Sequence, residues 1–380
     1  MLLTALAHLN NLRPIVPTAA LVAVSPTIFI VHSSWRLVST VLPRNMFYPV
    51  EDAIWGWYQK FVVFVFEACT GVEIIVKGDI PDKIENVLMI CNHQTAMDWI
   101  VADFIALRQG MIGHMRFVFK NILKYFPLYG YVWGVHGGIF VRRDGTYNAM
   151  KMKKTLKMLM DRKVPLYLVI YPEGTRFCPG KTSLLEKSRA YASENRLEPL
   201  NNVLTPRIKA FHCAISTLGD YLDAVYDATF IYEFKGEESS ERIRHIAPSM
   251  WDFLAGKCSR VFIQFNRIPA SEVPVVDGME SPTFQWLHMR FKLKDNLLKR
   301  YYSFDNNNIT DADSKAELKN RILQVSDMGR VSPIGNTIAA SVSLVGLTLL
   351  LLSSHTGRMV YATTAAAGTV FGLVYAHLMF

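Results

Sequence analysis

The pair His93 and Asp98 lies in the stretch Cys91-Asn92-His93-Gln94-Thr95-Ala96-Met97-Asp98-Trp99, directly after the apolar run Val87 to Cys91. Five residues on a regular helix rotate a side chain by about 140°, so the two do not share a helix face. With His93 on a strand-to-helix turn and Asp98 in the first turn of the helix, the carboxylate reaches the ring. It then fixes the tautomer and leaves the other ring nitrogen basic, as a general base for an alcohol requires. A second constellation, Tyr171-Pro172-Glu173-Gly174-Thr175-Arg176, also follows an apolar run. Gly174 lets backbone amides approach an anion, Thr175 adds a hydroxyl, and Arg176 adds a planar fork matched to phosphate oxygens. Glu173 either holds Arg176 or contacts substrate hydroxyls. A third, Gly137 to Arg143, delivers Arg143 to a strand end as a further phosphate contact, with Lys120 upstream. A fourth, Val203-Leu204-Thr205-Pro206-Arg207, is apolar around Pro206 and suits an acyl pocket. Cys91 reads as strand-end packing, not as a nucleophile.

These residues need a scaffold. Short runs rich in Val, Ile, Phe and Tyr have strand length: Val87 to Cys91, Ile139 to Val141, Leu166 to Tyr171, Ala228 to Phe234 and Val261 to Phe265. Helical spacing marks Thr146 to Arg162 and Phe284 to Leu298 between them. The first of these carries Lys151, Lys153, Lys154 and Lys157, which suit anionic head groups, a coenzyme's phosphates or plain solvation. Strands alternating with helices predict an α/β architecture. The polar stretch 303–330 reads as a linker with one helix at Ser314 to Leu323, and contains the sequon at Asn308.

The two ends are different in kind. No Asp, Glu, Lys or Arg occurs between Arg13 and Arg36, and Ile15 to Val31 is long enough to cross the ~30 Å hydrocarbon layer. Ile54 to Phe66 is short for a span and is expected in the interface or in a re-entrant hairpin with the first. Val331 to Thr356 and Met359 to Phe380 predict two transmembrane helices, joined by a turn at His355 to Arg358. The chain of 380 residues is 51% hydrophobic and only 19% charged, which argues against disorder and for a lipid-facing portion. Its net charge of +9 suits anionic partners, and the apolar ends favour bilayers and phosphorylated small molecules over nucleic acid. Five cysteines, an odd number without CxxC spacing, argue against a disulfide framework or zinc site and point to reduced thiols on the cytosolic side. The organisation expected is membrane-anchoring helices at 1–71, a catalytic domain at 72–302, the linker at 303–330 and a transmembrane pair at 331–380.

The order HxxxxD, arginine-ended strand, EGTR, proline-bearing strand resembles the glycerolipid acyltransferase family. Ala224-Val225-Tyr226-Asp227 and the helix around Trp286 look like its eukaryotic membrane branch, which acts on lysophosphatidic acid or lysophosphatidylinositol. The resemblance implies a mixed sheet flanked by helices, with His93 as catalytic base and Asp98 orienting it. Arg143, Glu173, Gly174, Thr175 and Arg176 are implied to bind the acceptor, with Lys120 and Pro206 as further substrate-binding residues. Leu204-Thr205-Pro206-Arg207 departs from the more hydrophobic form of other branches. The reaction implied moves a fatty acyl group from acyl-CoA, a co-substrate, to a lysophospholipid hydroxyl at the endoplasmic reticulum membrane. No metal or cofactor is expected. Two other readings of the same residues stay open: a non-catalytic membrane-shaping homologue, and a thioesterase or hydrolase that uses water.

Overall fold

The computed structural model describes residues 13–78, 80–142, 149–235, 246–278, 281–302 and 334–379. Among them, seven strands form one mixed sheet: β1 Glu73–Lys77, β2 Val87–Cys91, β3 Met115–Lys120, β4 Ile139–Val141, β5 Tyr167–Ile170, β6 Ala224–Phe234 and β7 Cys258–Pro269. Their order is β1-β7-β6-β2-β5-β3-β4. The block β6-β2-β5-β3-β4 is parallel, β7 is antiparallel to β6, and β1 is parallel to β7. The five parallel strands therefore end at one edge of the sheet, and the chain leaves each of them there.

Period-two alternation separates two cores. Val87, Met89 and Cys91 of β2, Tyr167 and Val169 of β5, and Tyr226, Phe230 and Tyr232 of β6 pack on one face. Leu88, Ile90, Leu168, Ile170, Val225 and Ile231 pack on the other. The first face is covered by α1 (Ile15–Val38), α2 (Phe47–Val63), α3 (Asp98–Arg108) and α4 (Tyr129–Val135). The second carries α5 (Ala149–Asp161), α6 (Thr182–Glu194), α7 (Ile208–Leu218) and α9 (Pro282–Tyr302); the short α8 (Met250–Leu254), between the last two in sequence, puts Phe253 and Leu254 into the first core. Complete burial on both faces explains why β2 and β5 read as continuous apolar runs.

At the C-terminal end, α10 (Ile334–Ser353) is followed by α11 (His355–Thr363), a π turn at Thr364–Gly368 and α12 (Thr369–Met379). Among the described residues three helical stretches have the length and apolar character to span a bilayer: Ile15–Val41, Gly335–Ser353 and His355–Met379. The turn in the C-terminal pair is tighter than the sequence suggested. Ser354 caps the next helix, its hydroxyl accepting from the Gly357 amide at 2.9 Å, so residues 355–358 already form a helical turn. Pro17 sits in the first turn of α1, where no amide bond is lost, and Pro26 is accommodated inside the helix.

The second apolar segment, expected in the interface or in a hairpin with the first, packs inside the protein. It lies in α2, which continues through a π turn at Phe64–Ala68 and buries Trp55, Tyr58, Phe61 and Val62 in the sheet's own core. Polar residues just before it explain the difference. Asp52 accepts from His114 Nδ1 at 2.7 Å and pairs with the fully buried Arg116, whose Nε donates to the His136 carbonyl at 3.1 Å. Burial, with Arg116 adding to it, pushes the His136 imidazole down to about 4 and keeps it neutral. Such a paired network belongs inside a protein, where removing one partner strands a charge. The expected helix at Ser314 to Leu323 and the sequon at Asn308 lie outside the described residues.

Candidate active site

β2 ends at Cys91, and the next seven residues build a turn whose bonds are almost all internal to the site. Asn92 is fully buried and extends the sheet by its side chain: Phe230 N donates to Oδ1 at 2.8 Å, and Nδ2 donates to the Phe230 carbonyl at 3.1 Å. Thr95 is pinned by its hydroxyl to the Pro248 carbonyl at 2.5 Å. Asp98 is the first residue of α3 and fully buried. Its Oδ2 accepts from the Gln94 amide at 2.6 Å, the Thr95 amide at 3.0 Å and His93 Nδ1 at 2.7 Å. Its Oδ1 accepts from the Tyr232 hydroxyl at 2.5 Å. Burial, reinforced by Asp98, pushes the Tyr232 hydroxyl well above its ordinary range, so it remains a donor. A carboxylate with donors on both oxygens has a single orientation, and the histidine tautomer with hydrogen on Nδ1 follows from it. The His93 side chain is 16% exposed, and Nε2 has no partner among the described residues.

The loop after β5 is stitched to the backbone of the same histidine from both sides. Glu173 Oε1 accepts from His93 N at 2.6 Å, and Phe177 N donates to His93 O at 2.7 Å. Residues 174–176 therefore arch across His93. Gly174 stands at φ +70°, a left-handed conformation that a side chain would strain. The Tyr171 ring stacks on the His93 ring with centroids 4.5 Å apart. Arg176 is exposed and Thr175 half-buried at the crest of the arch.

Glu173 differs from expectation. It is 3% exposed and points inward, and its second oxygen accepts from Leu204 N at 2.8 Å. The EGTR acid thus ties the second and fourth motifs to His93, beyond the contact with Arg176 or with substrate that the sequence suggested. A buried carboxylate needs donors, and two backbone amides supply them. Leu204 and Pro206 are buried beside it, and Arg207 N donates to the Pro172 carbonyl at 2.7 Å. Lys120 is exposed at the end of β3, two strands and so about 10 Å from β2. Arg143 lies outside the described residues.

The sequence did not single out Tyr232 or Asn92, and it quoted Tyr171 and Arg207 without a role. Tyr232 is 134 residues from Asp98. Only the alternation along β6, which puts Tyr226, Phe230 and Tyr232 on the α3 face, carries a hint of it. Cys91 is fully buried, and burial pushes its thiol well above the ordinary range, which removes it as a nucleophile.

A family model described as acyltransferase matches residues 72–216, and one described as acyltransferase C-terminus matches residues 252–323. The chain is 38% identical over 375 residues to the mouse 1-acyl-sn-glycerol-3-phosphate acyltransferase epsilon, covering 99% of each. It is 30% identical over 309 residues to the probable 1-acyl-sn-glycerol-3-phosphate acyltransferase 5 of Arabidopsis thaliana, covering 78% of this chain and 76% of the relative. The crystal structure of a 1-acyl-sn-glycerophosphate (LPA) acyltransferase from Thermotoga maritima aligns over 80% of this chain and all of its own, at 14% identity and a TM-score of 0.44.

Proposed function

The chain belongs to the 1-acylglycerol-3-phosphate and lysophospholipid acyltransferases, and on that basis we propose that it transfers a fatty acyl group from acyl-CoA to the free hydroxyl of lysophosphatidic acid. The observation that carries the reading is the 2.7 Å bond from His93 Nδ1 to a fully buried Asp98, with Nε2 left without a partner among the described residues. His93 Nε2 takes the hydroxyl proton as the oxygen attacks the thioester carbonyl. A C–O bond forms, and a negative charge develops on the carbonyl oxygen. Collapse breaks the C–S bond, and the sulfur leaves with the proton from His93 as the free thiol of coenzyme A. Asp98 offsets the positive charge that the ring carries between those steps. Holding both substrates beside one imidazole makes the attack local.

The acceptor phosphate is assigned to the arch over His93: the Gly174 region of the backbone, Thr175 and Arg176, with Lys120 and Arg143 as further cations. Leu204 and Pro206 are assigned to the acyl chain. Glu173 is assigned a positioning role. The membrane proposed is the endoplasmic reticulum, with the catalytic domain on the cytosolic side. Five unpaired cysteines and the candidate membrane helices support that placement.

The test is a panel of lysolipids offered with one labelled acyl-CoA to purified wild type and His93→Ala. Labelled phosphatidic acid should form with wild type and fall to background with the variant. Coenzyme A release without an acceptor would make the protein a hydrolase, and full activity in His93→Ala would remove the base.

A further inference from the structure

We propose that the cleft between α5 and α7 holds the phosphate-bearing nucleotide end of the acyl donor. The inference rests on acyl-CoA being that donor. The cleft measures about 550 Å³, within the size range of small-ligand sites. Lys153 and Lys157 line it from one face of α5, four residues apart. Lys209, His212 and Ser216 line it from one face of α7. All three lysines are exposed, and none pairs with a carboxylate among the described residues. The acidic group on the cleft wall, Asp277, lies 3.3 Å from His212 Nε2. Ile208 and Cys213 are buried beneath it. An apolar floor under three unpaired ammonium groups matches an adenine base with its phosphates.

Position supports the same ligand. The cleft lies on the face of the sheet opposite α1, so it opens away from the candidate membrane helices and toward a water-soluble group. It is joined to the active site by Arg207, which precedes α7. A side chain at Gly174 would lie 3.8 Å from Arg207 Cγ, and the Arg207 guanidinium sits 3.6 Å over the Tyr191 ring. From Ile208 to Ser216 the helix rises about 12 Å. A pantetheine arm is comparable to four or five extended residues, roughly 15 Å, which exceeds that rise.

The experiment uses the full chain in nanodiscs. Wild type and the triple variant K153A/K157A/K209A are assayed with acyl-CoA and with its 3′-dephospho analogue, at saturating lysophosphatidic acid. Coenzyme A protection of lysines from acetylation is read by mass spectrometry. The donor KM of the variant should rise about tenfold or more, with kcat and acceptor KM unchanged. Wild type should prefer acyl-CoA to the dephospho analogue, and the variant should treat them alike. Coenzyme A should shield the three lysines and leave Lys181 and Lys187 reactive. An unchanged donor KM together with no shielding overturns the proposal. So does an effect on acceptor KM that grows with anionic lipid, which would assign the lysines to head groups. If wild type transfers nothing from acyl-CoA yet coenzyme A still shields the cleft, the cleft stands and the donor reading falls.

Discussion

Asp98→Asn isolates one charge without disturbing the turn that carries it. Three donors converge on Oδ2, so the asparagine carbonyl takes that place and still accepts from His93 Nδ1 and the amides of Gln94 and Thr95. The new amino group then faces the Tyr232 oxygen, which can accept. Packing, ring orientation and tautomer survive, and only the attraction between carboxylate and imidazolium disappears. With the ring nitrogen 2.7 Å from the oxygen, the charge centres are about 4 Å apart. At an effective dielectric of about 20 the attraction is about 4 kcal/mol, and it acts once the ring has taken the proton. The variant should therefore lose roughly a thousandfold in kcat, with little change in either KM. Initial rates of phosphatidic acid formation with both substrates saturating give kcat, and circular dichroism checks folding. A folded variant within about threefold of wild type would refute the charge-pair argument. A loss confined to acceptor KM would make Asp98 part of a binding site instead.

The remaining tests reach other parts of the same site and scaffold. Tyr232→Phe keeps the ring in its core and deletes one hydrogen bond to a charged group, so kcat should fall about tenfold with both KM values steady; an unchanged kcat would leave the hydroxyl without a role. Arg176→Ala should raise the lysophosphatidic acid KM about tenfold, and a shift in the acyl-CoA KM alone would remove the phosphate assignment. Burial would push the Glu85 carboxyl up, but Arg267, Tyr226 and Lys83 outweigh it and hold it down to about 2. A depressed carboxyl adds stability that is complete above the ordinary range near 4.5 and is lost as pH falls toward 2. Thermal unfolding followed from pH 6 to pH 3 should therefore be less steep in Glu85→Gln than in wild type, and identical slopes would exclude the pair.

The candidate site was legible where its bonds are local. His93 and Asp98 are five residues apart, and the strand, turn and first helical turn that join them follow from an apolar run meeting a polar one. Both buried central strands were readable for the same reason. β1 and β3 were not, because Glu73, Lys77, Arg116 and Lys120 dilute their apolar pattern. Arg116 tolerates a strand interior because its charge meets Asp52, 64 residues away, too far for a local sequence pattern to link the two. The tie that Glu173 makes was hidden, since the backbone amides of His93 and Leu204 donate to it, and amides leave no mark in a sequence. The core packing of residues 54–66 was not legible because hydropathy does not distinguish a core from a bilayer. Asp52, buried and paired with His114 and Arg116, lies just outside that window.

In the proposed reaction the sheet separates two substrates of opposite solubility. Its α3 face carries α1 and α2 and touches the C-terminal pair, with Thr27 bonded to Thr348 at 2.9 Å and the Tyr361 hydroxyl to the Ala23 carbonyl at 2.7 Å. A lysolipid tail confined to the bilayer has to arrive from that side, because leaving it would cost about 0.8 kcal/mol for every methylene exposed. The opposite face carries the lysines of α5 and α7, which no candidate membrane helix covers among the described residues. His93 stands at the edge where the two faces meet, its ring fixed from the α3 side by Asp98 and its backbone held by Glu173, which reaches Leu204 just before α7. A nucleophile from lipid and an electrophile from water can thus meet at one imidazole without either crossing the sheet. A single helix covering both faces would close one of the two routes.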